Sequence, residues 1–206
     1  MKRTGLALKR FFDTVAATLL LLLLSPLLIP VALLIRLTSE GPALFKQPRL
    51  GYRGRVFSIY KFRTMVDGAE NLGSGVFTSR SDPRITRVGH LLRRTSLDEL
   101  PQLLNIVRGE MSFVGPRPPV LYHPYTYENY SAEQKLRFSV RPGITGYAQV
   151  VGRNRLEWDE RIRYDVMYVK NWSLRLDAEI IVRTFGVVSD RRGVFSDRQS
   201  AQESSR

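Results

Sequence analysis

Residues 15–35 read VAATLLLLLLSPLLIPVALLI, an almost uninterrupted apolar stretch that is long enough to cross a membrane. A helix of this length rises by about 1.5 Å per residue and reaches roughly 30 Å, the thickness of the hydrocarbon core of a bilayer. The stretch exceeds the apolar core of a signal peptide, and no A-x-A-like cleavage site follows it. Length and composition therefore predict a membrane helix that anchors the chain.

Two features leave the path of this helix open. Pro26 follows Ser25 in mid-segment and cannot donate to the carbonyl of Leu22, and Pro30 repeats the defect one turn later. The freed backbone groups need partners, for which the Ser25 hydroxyl is a candidate. Basic residues flank the segment on both sides: Lys2, Arg3, Lys9 and Arg10 before it, and Arg36, Lys46, Arg49, Arg53 and Arg55 after it. Because basic flanks prefer the cytoplasm, a kinked single span and a helix that bends at Ser25-Pro26 and re-enters its own leaflet both remain possible.

The composition limits the classes of partner and of metal site. The chain has 206 residues, 32 basic against 19 acidic, and a net charge of +13. Its length suits one modest domain and an anchor, and its charge favours nucleic acid, anionic lipid or phosphorylated substrates as partners. It has no cysteine and only two histidines, which excludes disulfides and zinc-thiolate sites. Any metal must therefore be held mainly by oxygen ligands.

Residue patterns predict a mostly helical α+β fold after the anchor. The stretch Val56 to Phe62 is typical of a short strand, and residues 67–82 of a loop rich in glycine and serine. Helices are predicted from about Val88 to Arg94 and from about Asp98 to Val107, where leucines recur at helical spacing. Gly109 is a natural stop for the second of these helices.

Two more helical stripes follow near the carboxyl end, from Trp158 to Trp172 and from Ile180 to Val188. Their apolar residues are interspersed with arginines, so the stripes indicate either core packing or amphipathic helices in the membrane interface. Residues 191–206 are typical of a polar, disordered tail. These patterns divide the chain into an anchor at 1–38, a domain at 39–190 and the tail.

Adjacent carboxylates at Asp98 and Glu99 are the candidate centre of chemistry. The residue three positions before Glu99 is Ser96, so the pair also fits a capping box with a purely structural role. Pro101 weakens that interpretation, because it falls inside a helix that starts at Ser96 and removes a hydrogen bond there. A carboxylate at a helix start is expected to have a lowered pKa, which suits a nucleophile or a magnesium ligand.

Seven basic residues elsewhere in the sequence are candidates to lie around this acid pair in the folded protein. They are Lys61, Arg63, Arg84, Arg93, Arg94, Arg117 and Arg141. Guanidinium groups match phosphate oxygens in bidentate fashion, and several of these residues stand beside proline or glycine, which fixes the backbone and aims the side chain. Phosphoryl transfer depends on such positioning and charge neutralisation. Neither a P-loop nor a G-x-G-x-x-G motif is present in the sequence.

Four motifs, in order, resemble the bacterial sugar transferase family and in particular its small monotopic phosphoglycosyl transferases. They are KFRTM at 61–65, SLDELPQ at 96–102, GPRP at 115–118 and RPGITG at 141–146. The similarity runs roughly from Lys9 to Ser189. It implies a re-entrant helix bent at Ser25-Pro26, a catalytic domain on the cytoplasmic face of the bacterial inner membrane, interfacial amphipathic helices and Mg²⁺ as cofactor.

The resemblance also implies a reaction in two steps. Asp98 would attack the β-phosphorus of a UDP-sugar and release UMP, and a polyprenyl phosphate such as undecaprenyl phosphate would then remove the phosphosugar from the carboxylate. Asp98 would serve as nucleophile and metal ligand, and Glu99 as base or second metal ligand.

Further roles follow from the same motifs. Phosphate or substrate binding is implied for Lys61, Arg63, Arg94, Arg117 and Pro118, and a place in the nucleotide-side loop for Arg141, Gly143 and Gln149. The sequence departs from the family pattern at Tyr147 and Val151, where the family often has Trp and Asn, which affects base stacking rather than the chemistry.

Two other hypotheses compete with covalent transfer. One is direct transfer in a ternary complex, with Asp98 serving only the metal. The other is a non-catalytic, membrane-anchored basic protein that binds anionic lipid or nucleic acid, although the resemblance implies no nucleic-acid partner. No local motif identifies the sugar, which leaves galactose, glucose and N-acetylated amino sugars, nor the glycoconjugate pathway or the oligomeric state.

Overall fold

The computed structural model describes residues 3–72, 82–152 and 156–189. The predicted tail at 191–206 and most of the predicted loop at 67–82 lie outside these ranges. The helices are α1 (Arg3–Thr38), α2 (Arg87–Thr95), α3 (Leu103–Arg108), α4 (Tyr147–Val151), α5 (Trp158–Lys170) and α6 (Leu174–Ser189). The strands are β1 (Leu44–Leu50), β2 (Val56–Phe62), β3 (Ser112–Val114) and β4 (Gly143–Thr145). The chain is therefore mostly helical with small sheets, as the sequence predicted.

Helix α1 is continuous through both of its prolines. The Ser25 hydroxyl donates to the Leu22 carbonyl at 2.8 Å, so it satisfies the acceptor that Pro26 leaves without a backbone donor. In the described part of the chain, α1 is the one helix that is long and apolar enough to cross a membrane. The structure thus shows a continuous helix at Ser25-Pro26, where the family resemblance implies a bend, and the re-entrant path stays a prediction.

One face of α1 packs on the rest of the protein along nearly its whole length. Its buried or half-buried positions include Asp13, Ala17, Leu21, Leu24, Leu28, Val31, Ala32 and Ile35. Ala17 packs in a cluster with Ile59 and Ile106, and Ile35 packs in another with Phe62 and Leu92. The opposite face exposes large apolar side chains, among them Leu19, Leu22, Leu23, Ile29, Leu33 and Leu37. Such a face suits lipid rather than water.

The two sheets have two strands each. Strands β1 and β2 form an antiparallel hairpin in which Leu44 pairs with Phe62 and Leu50 with Val56. Strand β2 has the bounds predicted from the sequence. Strands β3 and β4 run parallel, and Ser112 pairs with Gly143.

The predicted helix at 98–107 consists of two pieces. A 3-10 helix at Leu97–Gln102 precedes α3, and Gly109 ends α3 with a φ of 86°. Pro101 explains the first piece, because a proline at this position cannot make the α-helical hydrogen bond. The buried Asn105 then ties α3 to the edge of β2, since its side chain accepts from the Tyr60 nitrogen at 3.0 Å and donates to the Ser58 carbonyl at 2.7 Å.

The two carboxyl-terminal helices bury different shares of their apolar stripes. In α5, Ile162, Val166 and Val169 are buried, which confirms core packing for that stripe. In α6, Ile180 is buried, but Val182 and Phe185 are 70% and 72% exposed. Of the described parts of these two helices, only that of α6 therefore has a broad apolar surface that is exposed to solvent.

Candidate active site

The acid pair lies on the turn between α2 and α3. Ser96 ends α2 with a φ of 56° and begins the 3-10 helix that carries Asp98 and Glu99. Within the described residues, the Ser96 side chain makes no capping hydrogen bond. The capping box predicted as a structural alternative is therefore not formed, which leaves the Glu99 carboxylate available to other partners.

Two cations hold the Glu99 carboxylate. Lys61 Nζ donates to Glu99 Oε1 at 2.6 Å, and Arg117 Nη2 lies 3.6 Å from the same oxygen. Burial by itself would raise the pKa of Glu99, but the attraction of Lys61 and Arg117 outweighs it and lowers that pKa to about 2. The structure thus brings together three residues from different segments. Lys61 lies on β2, Glu99 on the turn at residues 96–99, here called the acid turn, and Arg117 in the proline-rich loop at residues 115–119.

Asp98 has the opposite electrostatic environment. Burial raises the pKa of Asp98 to about 6, against the attraction of Lys61, while the neighbouring charge of Glu99 raises it further. The lowered pKa expected from a helix start is therefore wrong. The 3-10 helix is short, and the loss of water around the carboxyl group exceeds the benefit of nearby cations. The carboxylate form still prevails at neutral pH.

Arg93 lies on the side of α2 that faces Asp98. Its Nε donates to Thr64 Oγ1 at 2.8 Å, and its charge lowers the pKa of Asp98. Helix α2 packs closely against the backbone of Thr64 because Gly89 has no side chain. A Cβ at Gly89 would lie 1.9 Å from the Thr64 carbonyl oxygen. The neighbouring Arg94, predicted to bind phosphate, is exposed on the surface of α2.

Arg117 projects from a loop whose neighbouring residues are buried. Pro116 and Pro118 are buried, whereas the Arg117 side chain is 43% exposed. The Pro118 carbonyl accepts from Arg49 Nη1 at 3.1 Å. Burial lowers the pKa of Arg49 to about 10, and the charge of Arg117 contributes to that shift. Sequence reasoning noted Arg49 only as part of a basic flank, because nothing local connects β1 with a loop some 70 residues later.

Arg63 and Arg84 serve other parts of the fold. Arg63 is 5% exposed, and its Nη2 donates to the Ser39 carbonyl at 2.8 Å, just beyond the end of α1. Arg84 pairs with Asp82 at 2.7 Å and donates to the Ala69 carbonyl at 2.8 Å. These hydrogen bonds and this ion pair therefore link chain segments outside the acid turn.

The three residues predicted for the nucleotide side support the loop around β4. Arg141 Nε donates to the Gly109 carbonyl at 2.7 Å, and Gln149 Nε2 donates to the Ile144 carbonyl at 2.9 Å. Gly143 is required by packing, because a Cβ there would lie 2.1 Å from the Gly115 nitrogen. These contacts explain the residues structurally and leave their nucleotide role a prediction.

The acid pair is compatible with magnesium. Among the residues that the structure describes, no group of three or more His, Cys, Asp or Glu side chains could hold a metal ion by itself. Mg²⁺, however, is commonly bound by one or two carboxylates together with substrate phosphates. Asp98, with Glu99 beside it, supplies that kind of donor set once a diphosphate is present.

The sequence of this chain is similar to those of several known proteins. A sequence model of the family described as bacterial sugar transferase matches residues 4–191. The chain is 45% identical to an undecaprenyl-phosphate glucose phosphotransferase of Komagataeibacter xylinus, over 91% of this chain and 36% of the relative. It is 42% identical to the uncharacterized sugar transferase EpsL of Bacillus subtilis (strain 168), over 91% of this chain and 90% of the relative.

A third relative is the UDP-glucose:undecaprenyl-phosphate glucose-1-phosphate transferase of Escherichia coli (strain K12). The identity is 44%, over 86% of this chain and 39% of the relative. The chain thus spans well under half the length of the first and third relatives and nine-tenths of the second.

Proposed function

Since this chain belongs to the bacterial sugar transferase family, we propose that it transfers a sugar 1-phosphate from a UDP-sugar to undecaprenyl phosphate and releases UMP. The observation that carries the proposal is the acid turn, where a half-buried Asp98 stands beside a carboxylate held by Lys61 and Arg117. The names of the relatives supply the chemical class of donor and acceptor, with glucose or galactose as the sugar.

In the first step an Asp98 oxygen attacks the β-phosphorus of the donor. A bond forms between that oxygen and the phosphorus, and the bond from the phosphorus to the bridging oxygen breaks, so that UMP leaves with the bridging oxygen. In the second step a phosphate oxygen of the lipid attacks the same phosphorus and frees Asp98. Two easier displacements replace one difficult step. A pKa of about 6 supports this role, because the carboxylate is ionised at neutral pH.

Lys61 and Arg117 are placed to neutralise charge on the phosphate oxygens as the bonds change. Glu99 holds both cations and, with a pKa of about 2, is too weak a base to accept a proton at neutral pH. Its low pKa therefore supports a role in orienting the cations. Asp98 and the diphosphate oxygens, with Glu99 as a second carboxylate, would hold Mg²⁺, which when bound adds positive charge against the diphosphate.

We also propose that α1 enters one leaflet of the bacterial inner membrane and returns, with the domain on the cytoplasmic face. One face of α1 contacts the domain from near Gly5 to Ile35. A straight crossing of the bilayer would draw the charged and polar surface of that domain into hydrocarbon, at a high cost in free energy. Basic residues at both flanks of α1 support the cytoplasmic side. Val182 and Phe185 on α6 are the candidate contacts with the lipid interface.

The test uses the whole protein in lipid nanodiscs that contain undecaprenyl phosphate. Incubation with a panel of UDP-sugars is expected to release UMP with at least one of them. Asp98→Asn is expected to lower the rate by at least about 1,000-fold, as loss of a nucleophile does. The matched control is Asp159→Asn, at an exposed acid on α5, which is expected to keep the parent rate. An Asp98→Asn variant within about tenfold of the parent would remove the proposed role of Asp98.

A second experiment separates covalent from direct transfer. A UDP-sugar labelled at the β-phosphorus is added in the absence of lipid acceptor. Covalent transfer predicts label on the protein that is lost in Asp98→Asn and that moves to undecaprenyl phosphate when the lipid is added. Direct transfer predicts no label on the protein under the same conditions.

A further inference from the structure

Every carbonyl in residues 116–119, the segment that carries Arg117, accepts a hydrogen bond. The four bonds come from different parts of the chain: Gly143 N to Pro116 O at 3.0 Å, Arg137 Nη2 to Arg117 O at 2.8 Å, Arg49 Nη1 to Pro118 O at 3.1 Å and Leu50 N to Pro119 O at 3.0 Å. Three of the four residues are prolines, whose φ is fixed and which have no N–H. The backbone is therefore held at each residue, and the exposed Arg117 side chain, which also lies 3.6 Å from Glu99, is the part that can meet a ligand.

The donor to the Arg117 carbonyl is itself fixed by a buried acid. The same Arg137 Nη2 lies 2.6 Å from Asp165 Oδ2, and both side chains are 2% exposed. The Arg137 guanidinium also lies over the rings of Tyr130 and Phe138, at 5.9 and 5.4 Å from their centroids. An acid on α5 thus orients an arginine that binds the backbone of the loop.

A buried ion pair of this kind needs an explanation beyond stability. The desolvation of two charges often cancels their attraction, and well-packed apolar residues of similar volume can be equally stable. Burial raises the pKa of Asp165 to about 6, although Arg137 attracts its charge. Desolvation therefore opposes the attraction within the pair, and its geometry, directed at the peptide of Arg117, suggests what it provides.

We propose that Arg137 and Asp165 are positioning residues, which fix the backbone of Arg117 so that its guanidinium meets the diphosphate of the donor in one orientation. This inference rests on the proposed function, in which Arg117 binds phosphate. A shift of about 1 Å in such a group can lower a rate by about 100-fold. Lysine cannot replace Arg137, because its single ammonium lacks the planar, rigid geometry of a guanidinium.

The test is a double-mutant cycle on the rate of UMP release by the protein in nanodiscs. Arg137→Met with Asp165→Leu replaces both charged side chains by apolar ones and leaves the Arg117 carbonyl without its donor. In the parent background we expect kcat to fall by about 10–100-fold. In an Arg117→Ala background the same change is expected to cost less than about threefold, since the side chain to be positioned is absent.

A matched control comes from a second ion pair between α5 and the segment that carries Arg137. Lys170 on α5 pairs with Glu133 at 2.5 Å, and the two side chains are 53% and 69% exposed. Lys170→Met with Glu133→Gln is expected to leave kcat unchanged in both backgrounds. Thermal unfolding of each variant shows whether it is folded, and if the Arg137 and Asp165 double variant is not, Arg137→Lys goes through the same cycle with the same expectation.

Each outcome decides the inference. An equal loss of kcat in both backgrounds, or no loss in the parent background, shows that the pair only supports the fold or does nothing for the rate. Full activity in Arg117→Ala also overturns it, because nothing then requires positioning. An unaltered protein that releases no UMP from any UDP-sugar contradicts the proposed function itself, which separates that failure from the failure of the positioning role.

Discussion

Asp177 offers the sharpest test of how the membrane helix is attached to the domain. Its carboxylate, which is 8% exposed, accepts from Lys9 Nζ at 2.7 Å, Tyr168 Oη at 2.7 Å and Trp172 Nε1 at 3.2 Å. Burial and the adjacent carboxylate raise the pKa of Tyr168, so its hydroxyl stays protonated and donates. Asp177→Ala removes all three hydrogen bonds and leaves Lys9, a residue of α1, without its closest counter-charge.

The loss in the free energy of unfolding of Asp177→Ala depends on which counter-charges Lys9 keeps. Removal of one partner of a buried ion pair typically costs about 3–5 kcal/mol. Lys9 keeps a second carboxylate, Asp13, at 3.6 Å, which places the loss at the lower end, about 3 kcal/mol. For a chain of this size, 1 kcal/mol shifts the melting midpoint by about 2–4 °C, so the expected decrease is about 6–12 °C.

Thermal unfolding in detergent, followed by circular dichroism at a helix wavelength, measures this shift. The matched control is Glu179→Ala on the same helix, because Glu179 forms an exposed pair with Arg183 and surface pairs contribute about 0–1 kcal/mol. Lys9→Met combined with Asp177→Leu is expected to recover part of the midpoint, since neither partner of the pair is then left charged, although the buried Asp13 loses its contact with Lys9. If Asp177→Ala unfolds at the same temperature as the control, the network does not hold α1 to the domain.

Three other predictions concern the site and the membrane surface. In metal-free protein the Asp98 carboxyl carbon is expected to titrate by NMR near pH 6, above the ordinary midpoint near 3.8, and Glu99→Gln is expected to lower the midpoint because it removes a neighbouring negative charge. A midpoint near 4 in the unaltered protein would show that burial does not govern this acid. Gly143→Ala places a Cβ 2.1 Å from the facing backbone and is expected to lower the melting midpoint by about 5–10 °C, whereas an unchanged midpoint would show that the strands can separate. Because the chain has no cysteine, an environment-sensitive dye at Val182→Cys is expected to report an apolar setting in nanodiscs, and the same dye at Arg175→Cys a watery one; equal spectra would place α6 away from lipid.

The sequence predicted those parts of the fold that depend on local pattern. Strand β2 alternates in a way typical of strands and was predicted with its observed bounds. Its partner β1 was missed, because Lys46, Gln47, Pro48 and Arg49 lack that pattern and proline is uncommon in strands. The strand forms because β2 offers it a full antiparallel register, which no window of β1 by itself reveals.

The candidate site divides in the same way. The motifs predicted that Lys61, Glu99 and Arg117 act together, and the structure brings them together. The pKa of Asp98 could not be predicted, since a local argument from the helix start omits the burial that tertiary packing imposes. The pairing of Arg137 with Asp165, 28 positions apart, left no local signal either.

Strand β2 packs directly on α1, and in the proposed membrane arrangement this brings the chemistry close to the lipid surface. Ile59 packs in the cluster of Ala17, and Phe62 packs in the cluster of Ile35, so Lys61 is next in sequence to a residue that packs against α1. In the proposed function, a lipid phosphate at the headgroup level would therefore meet the acid turn close to α1. The long polyprenyl chain of the proposed acceptor would then stay dissolved in the bilayer during the reaction.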